Sequence, residues 1–211
     1  MAARRRFPRV DQDAAFINIP YDAQFEPRFL AFIAGLTGLG LIPRAVLEIP
    51  GSQRRLERLF DLIGSCRYSF HDLSRVELDT RRPQTPRFNM PFELGLAVAW
   101  ARHGDPRHNW YVFESKQYRL AKSLSDLDGT QVYVHGGTAT GVLKQLTNAL
   151  ARSEHQPTVL ELQAVYRDVQ QAARKIKQDH ATKDLYDRPF LDLVYAARLS
   201  AGRRIASLHQ R

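Results

Sequence analysis

Cysteine is nearly absent: Cys66 is the only one in 211 residues. No internal disulfide is possible, and a reducing, cytoplasmic setting is expected. Long apolar runs are missing too. The longest, residues 29–42, contains three glycines and is too short to span a bilayer, so it reads as a buried helix and no membrane attachment is expected. The first six residues are basic, but Phe7-Pro8-Arg9-Val10-Asp11 supplies no apolar core for a secretion signal. No second His or Cys stands at metal-ligand spacing near His71, which argues against a zinc site, and no metal or resident cofactor is expected. The chain holds no Walker A, GxGxxG or GxSxG pattern, so nucleoside triphosphate hydrolysis and esterase chemistry lack support. There is no internal repeat and no low-complexity segment.

What is present is the composition of a globular protein, 44% hydrophobic and 25% charged. The length suits one domain with a sizeable core plus an appendage. The net charge is +9, partly from Arg4, Arg5, Arg6 and Arg9 in an N-terminus read as mobile. Three readings compete for this charge: a solvated basic surface, attraction to a phosphate-bearing small ligand, and, last because no nucleic-acid motif is visible, nucleic-acid binding.

Apolar periodicity divides residues 14–153 into alternating strands and helices. Strands are expected at 14–21, 43–49, 67–73, 109–114 and 131–135. Helices are expected at 26–41, 52–63, 90–102 and 141–151, with a short one at 120–125 and a polar loop at 76–87. Leu56, Leu59, Phe60 and Ile63 make the apolar face of the second helix, which Gly64 closes. Such alternation predicts a parallel, doubly wound α/β sheet of flavodoxin-like order 2-1-3-4-5, with its switch point between strands one and three. Residues 1–13 form a basic flexible arm. Residues 154–211 form a helical extension, with helices at 158–177 and 190–208 that pack on the domain or on a partner chain.

The topology gathers chemistry at the switch point. Glu93 falls in the first turn of the third helix, where Asn89 suits the N-cap and Pro91 the first turn. Phe92, Leu96 and Trp100 recur at helical spacing and read as its buried face. A carboxylate here suits stabilisation of, or attack on, an oxocarbenium-like centre, with Phe88, Phe92 and Tyr21 as an apolar wall that raises its pKa or stacks a base. Its plainer reading is a charge complementing the helix dipole. Asp72 and Ser74 end strand three, and Tyr21 and Asp22 end strand one. Asp72 suits a ribose hydroxyl or a water, or simply a turn; Asp22 suits the cap of the following helix. Asn18, inside an apolar strand, needs buried partners. Arg75, Arg81, Arg82 and Arg87 flank the loop and suit phosphate, with a solvated basic loop as the alternative for Arg81 and Arg82. His71 reads as a core histidine. Gly136-Gly137-Thr138 is a weak anion cradle or an ordinary turn.

Three segments carry a resemblance: Phe16-Ile-Asn-Ile-Pro-Tyr-Asp22, Cys66-Arg-Tyr-Ser-Phe-His-Asp-Leu-Ser-Arg75 and Pro86-Arg-Phe-Asn-Met-Pro-Phe-Glu-Leu-Gly-Leu96. Over residues 14–150 they resemble a group of uncharacterised bacterial proteins. More widely they resemble Toll/interleukin-1 receptor (TIR) domains and nucleoside 2-deoxyribosyltransferases, whose flavodoxin-like sheet presents a glutamate on the helix after strand three. Glu93-Leu94-Gly95 matches the Glu-aliphatic-Gly context of the transferases, whereas Met90-Pro91-Phe92 replaces their small residues and narrows the site. The resemblance implies that Glu93 is the catalytic carboxylate and Asp72 a sugar contact. It implies cleavage or transfer at an N-glycosidic bond of a nucleotide, by an NAD(P) glycohydrolase or a deoxyribosyltransferase-like enzyme, with NAD as leading substrate rather than cofactor. Tyr21 and Phe88 would pack on the base, Ser74 on the ribose, Arg75 or Arg87 on the pyrophosphate, with Asp22 and Asn89 beside them. Bacterial defence or stress signalling, a homo-oligomer and a defence-system partner protein are further expectations of the resemblance. The alternatives are a non-catalytic nucleotide or cyclic-nucleotide sensor and an assembly module.

Overall fold

The structure is a computed structural model that describes residues 9–48, 55–75, 82–151 and 156–205. Five strands form one parallel sheet in the order β2-β1-β3-β4-β5: β1 Asp11–Asn18, β2 Ile42–Arg44, β3 Cys66–Asp72, β4 Asn109–Glu114 and β5 Val132–Val134. The flavodoxin-like arrangement read from the alternation is therefore the one formed. The helices are α1 Glu26–Gly38, α2 Arg55–Ser65, α3 Asn89–His103, α4 Arg119–Ser123, α5 Ala139–Ala149, α6 Val159–Asp179 and α7 Arg188–Arg204. Two 3-10 turns, Val46–Glu48 and Ser125–Leu127, complete the described elements. No described helix is long and apolar enough to cross a membrane.

Strand boundaries shift from the periodicity by a few residues. β1 starts at Asp11, with its first three residues exposed, so the basic arm is shorter than 1–13. β2 stops at Arg44, where Glu48 receives both the Arg44 Nε–H and the Ala45 N–H and turns the chain into the first 3-10 element. The basic residues before Arg9, the end of the expected second strand with the start of the second helix, and Arg81 lie outside the described residues.

Strand residues alternate between two faces. On one, Ile17, Tyr68, Phe70 and Phe113 pack with α1 and α5; on the other, Phe16 packs with α2 and α3. Leu120 of α4 joins Leu73, Met90, Leu94 and Val112 on that second side. The C-terminal helices settle where the apolar run of residues 29–42 goes. α6 and α7 lie over α1, so α1 is covered by the sheet beneath and a helical pair above, and Phe29 to Gly38 are all buried. Two glycines permit the close approach. A Cβ on Gly35 would sit 2.5 Å from Leu146 Cδ1 of α5, and one on Gly38 2.3 Å from Leu162 Cδ2 of α6. α6 begins with a capping box in which Thr158 and Glu161 satisfy each other's backbone N–H.

Candidate functional site

α3 brings its carboxylate to the sheet by a face other than the one the periodicity favours. Met90, Glu93, Leu94 and Ala97 are buried, whereas Phe92 is 52% exposed and Leu96 and Trp100 are only partly covered. Both rows fit a helical repeat; the chosen one places Glu93 inward at 8% exposure. The cap also differs. Phe92 N–H reaches Phe88 O at 3.0 Å, so the helix starts at Asn89, the N-cap is Phe88, and no side chain caps it. Asn89 points outward as an exposed residue, and Glu93 stands beyond the first turn, where a helix dipole does little for it. Phe88, 66% exposed, and Phe92 form no wall around it. Glu93 Oε2 is buried with no hydrogen-bond partner among the described residues. Burial pushes its carboxyl up to about 7, against a smaller opposing pull from the Arg55 charge at the start of α2. Tyr21 is close enough to feel Glu93: its hydroxyl, donated to Ile17 O at 3.0 Å, is pushed well up by burial and then by that charge, and stays protonated.

Asn18, the last residue of β1, fastens α3 in this position. Its Nδ2 donates to Met90 O at 2.8 Å and lies 3.0 Å from His71 Nδ1, across the β1–β3 register. A carbonyl only accepts, so the amide nitrogen faces Met90. Its second N–H then requires Nδ1 of His71 to accept. His71 is therefore the neutral tautomer with its proton on Nε2, in keeping with burial, aided by His108, holding it down to about 3. Two atoms of this pair are left over: His71 Nε2 and Asn18 Oδ1 are buried without partners among the described residues.

The rim beside Tyr21 is ionic. Asp22 Oδ1 accepts from Phe25 N–H at 2.9 Å in the turn entering α1. Its Oδ2 holds Arg87 at 3.0 Å and Arg75 at 3.6 Å, and Arg75 also donates to Gln24 Oε1. The connection from α6 to α7 covers the same corner, with the Tyr186 hydroxyl donated to Tyr21 O and the two rings edge-to-face at 6.3 Å. A pocket of about 110 Å³ lies between them, lined by Tyr21, Asp22, Glu26, Phe29, Lys183 and Tyr186 among others.

Asp72 and Ser74 turn away from Glu93. Asp72 follows His71 in β3 and so faces the side of α1 and α5. Its carboxylate is fully buried, 3.0 Å from His135 Nε2, and takes Ser74 N–H at 2.8 Å. Ser74 Oγ lies 3.1 Å from the same Nε2. His135 Nδ1 accepts the Gly137 N–H at 3.1 Å, so Nε2 carries the proton and offers it toward both oxygens. A nucleophilic triad needs the base on one ring nitrogen and the acid on the other; here one nitrogen serves both. The cluster locks the end of β3 to the turn before α5, and neither Asp72 nor Ser74 is placed to touch a sugar at Glu93. The Gly136-Gly137 turn spends its Gly137 amide on His135, and Thr138 Oγ1 caps α5 through Gly141 N–H, so this loop is not an anion cradle. Arg119, paired with Glu114 and donating to Ser74 O at 2.7 Å, braces the neighbouring strand ends.

The structure thus brings together Tyr21 and Glu93, and separately Asp22, Arg75 and Arg87. It adds Asn18, His71 and Arg55 to the neighbourhood of Glu93. The signal for the first two was visible as polar residues inside apolar strands; nothing in the sequence singled out Arg55 or His135. Burial pushes the Cys66 thiol up to about 12, which removes it as a nucleophile. Among the described residues no three His, Cys, Asp or Glu side chains converge as a metal site. The chain has no match among protein-family models, curated proteins or solved structures.

Proposed function

We propose that this protein cleaves or transfers at an N-glycosidic bond of a nucleotide, with NAD the first substrate to test. One observation carries the reading: Glu93 presents a buried carboxylate oxygen, unpartnered among the described residues, whose titration lies at about 7, beside the switch point between β1 and β3. A carboxyl balanced near neutrality is ionised in a large fraction of molecules, yet held where water screens it little. A cationic sugar carbon beside it would be stabilised strongly, or attacked. The Tyr21 hydroxyl is near enough to feel the Glu93 charge, and Arg75 with Arg87, both on Asp22, supplies positive charge for a phosphate at the rim. Asp72 and Ser74 have no part in this mechanism, because His135 occupies them. Glu93 is buried and does not line the pocket of about 110 Å³ at the rim, itself smaller than the roughly 300–1,000 Å³ of ordinary ligand sites, so nucleotide binding at its carboxylate requires that corner to open. A role in bacterial defence or stress signalling, with self-assembly and a partner protein, rests on the resemblance alone.

The test is incubation of the protein with NAD, with chromatography for free nicotinamide and Glu93→Gln alongside. The expected outcome is release that falls roughly a hundredfold or more in the variant. Full activity in Glu93→Gln would sink the mechanism. One contact favours a second reading, a nucleotide sensor: Tyr186 ties the rim to the α6–α7 pair, which would carry occupancy across the molecule. A ligand-induced rise in Tm without turnover would favour that reading.

A further inference from the structure

Three buried polar atoms around the junction of β1, β3 and α3 lack partners among the described residues: Asn18 Oδ1, His71 Nε2 and Glu93 Oε2. Asn18 and His71 are both 0% exposed and sit opposite each other in the β1–β3 register. Their shared hydrogen bond, with the Met90 carbonyl, fixes which atoms remain. One is a donor, His71 Nε2–H; the other is an acceptor, Asn18 Oδ1. Leaving such groups unpaired is costly, and a protein that needed them only to fasten α3 would do as well with an apolar ring in place of His71. His71 does not contact Met90 in this fastening; only Asn18 does.

We propose that His71 and Asn18 form a donor–acceptor pair that orients the ligand of Glu93 through one neutral group able to accept and donate at once. This inference rests on the reading of Glu93 as the ligand site. A ribose hydroxyl or a primary carboxamide meets the requirement. A carboxylate does not, because it would set an oxygen against Asn18 Oδ1. His71 is then a binding residue, kept neutral by burial, with the Asn18 amide on Nδ1 setting its proton on Nε2.

The experiment uses the full chain with ¹⁵N-labelled histidine and three probes: nicotinamide, which has the carboxamide; ADP-ribose, which has the hydroxyls; and nicotinate, which has the carboxylate. The expected spectrum of the free protein shows His71 protonated on Nε2 alone. Nicotinamide or ADP-ribose moves that resonance, and whichever does so identifies the group; nicotinate leaves it in place. A His71 resonance unmoved by any probe at millimolar concentration means the pair serves a resident water and overturns the proposal. So does an equal response to nicotinate. In parallel, His71→Phe should melt no lower than wild type while binding the effective probe about tenfold more weakly; unchanged affinity would also overturn it. If that variant does not fold, the wild-type spectra still decide. Glu93→Gln separates the two claims. Turnover retained with the His71 shift intact removes the glycosidase and keeps the contact. Turnover lost, with His71 silent in both proteins, removes the contact and keeps the glycosidase.

Discussion

Glu93 and His71 titrate in opposite senses from one neighbourhood, and each leaves a mark on stability. Glu93 is raised to about 7 in the fold. The folded state therefore holds its proton longer than the unfolded chain as pH rises from about 4.5 to 7. Stability is lost across that window and stays lost above it, by about 3 kcal/mol at most. Glu93→Gln mimics the protonated form, so its Tm should exceed that of wild type at pH 8 and match it at pH 4; thermal melts at the two values check this. His71 is lowered to about 3. The unfolded chain takes up its proton near 6.5 and the fold does not, so stability falls as pH drops from about 6.5 toward 3. In denaturant titrations over pH 4–6, His71→Phe should flatten that acid limb by about one proton, or about 1.4 kcal/mol per pH unit. The His71 shift was not legible in the sequence; a raised Glu93 was one reading of it, but through an apolar wall of Phe88 and Phe92, which are exposed. A glutamate after an N-cap-like Asn89 looks like a dipole partner, and only burial, set by the whole of β1, β3 and α3, makes it a near-neutral acid.

At the scale of elements, α3 shows how far periodicity reaches. Its length and place were legible; its face was not. Phe92-Leu96-Trp100 and Met90-Leu94-Ala97 satisfy the same repeat, and the tie is broken by Asn18, which draws the Met90 carbonyl toward β1. Aromatic residues outside and a carboxylate inside invert the usual partition, as functional sites do. Gly95 lies on the outer side with open space where a Cβ would go. Gly95→Ala should therefore raise stability by about 0.5–1 kcal/mol through helix propensity, seen as a higher denaturation midpoint. Gly141 is the opposite case. Its Cβ would fall 1.9 Å from His135 O, a backbone atom that cannot yield cheaply. Gly141→Ala should cost about 1–3 kcal/mol, and it should disturb the turn that the Asp72–His135 cluster holds.

For the whole molecule, the strand order followed from the alternation of strands and helices, because each crossover has one permitted hand. The partner of α1 did not follow. An all-round apolar helix announces that it is covered but not by what, and α6 and α7 supply the answer through Leu162, Val165, Phe190 and Leu193 in the same core. The C-terminal helices are a layer of the domain, so ending the chain at residue 157 should leave α1 uncovered and give an aggregating or unfolded product by size-exclusion chromatography and circular dichroism. They also carry Tyr186 to the rim, which joins this outer helical layer to the site. Everything proposed for that site returns to one physical claim, that the fold holds Glu93 as a carboxyl balanced near neutrality. The direct measurement is a ¹³C titration of the Glu93 side-chain carboxyl in the intact protein, assigned by its loss in Glu93→Gln. A midpoint at about 7 is the expected result. A midpoint at the ordinary glutamate value of about 4.3 would mean a solvated, ionised side chain and would contradict the account.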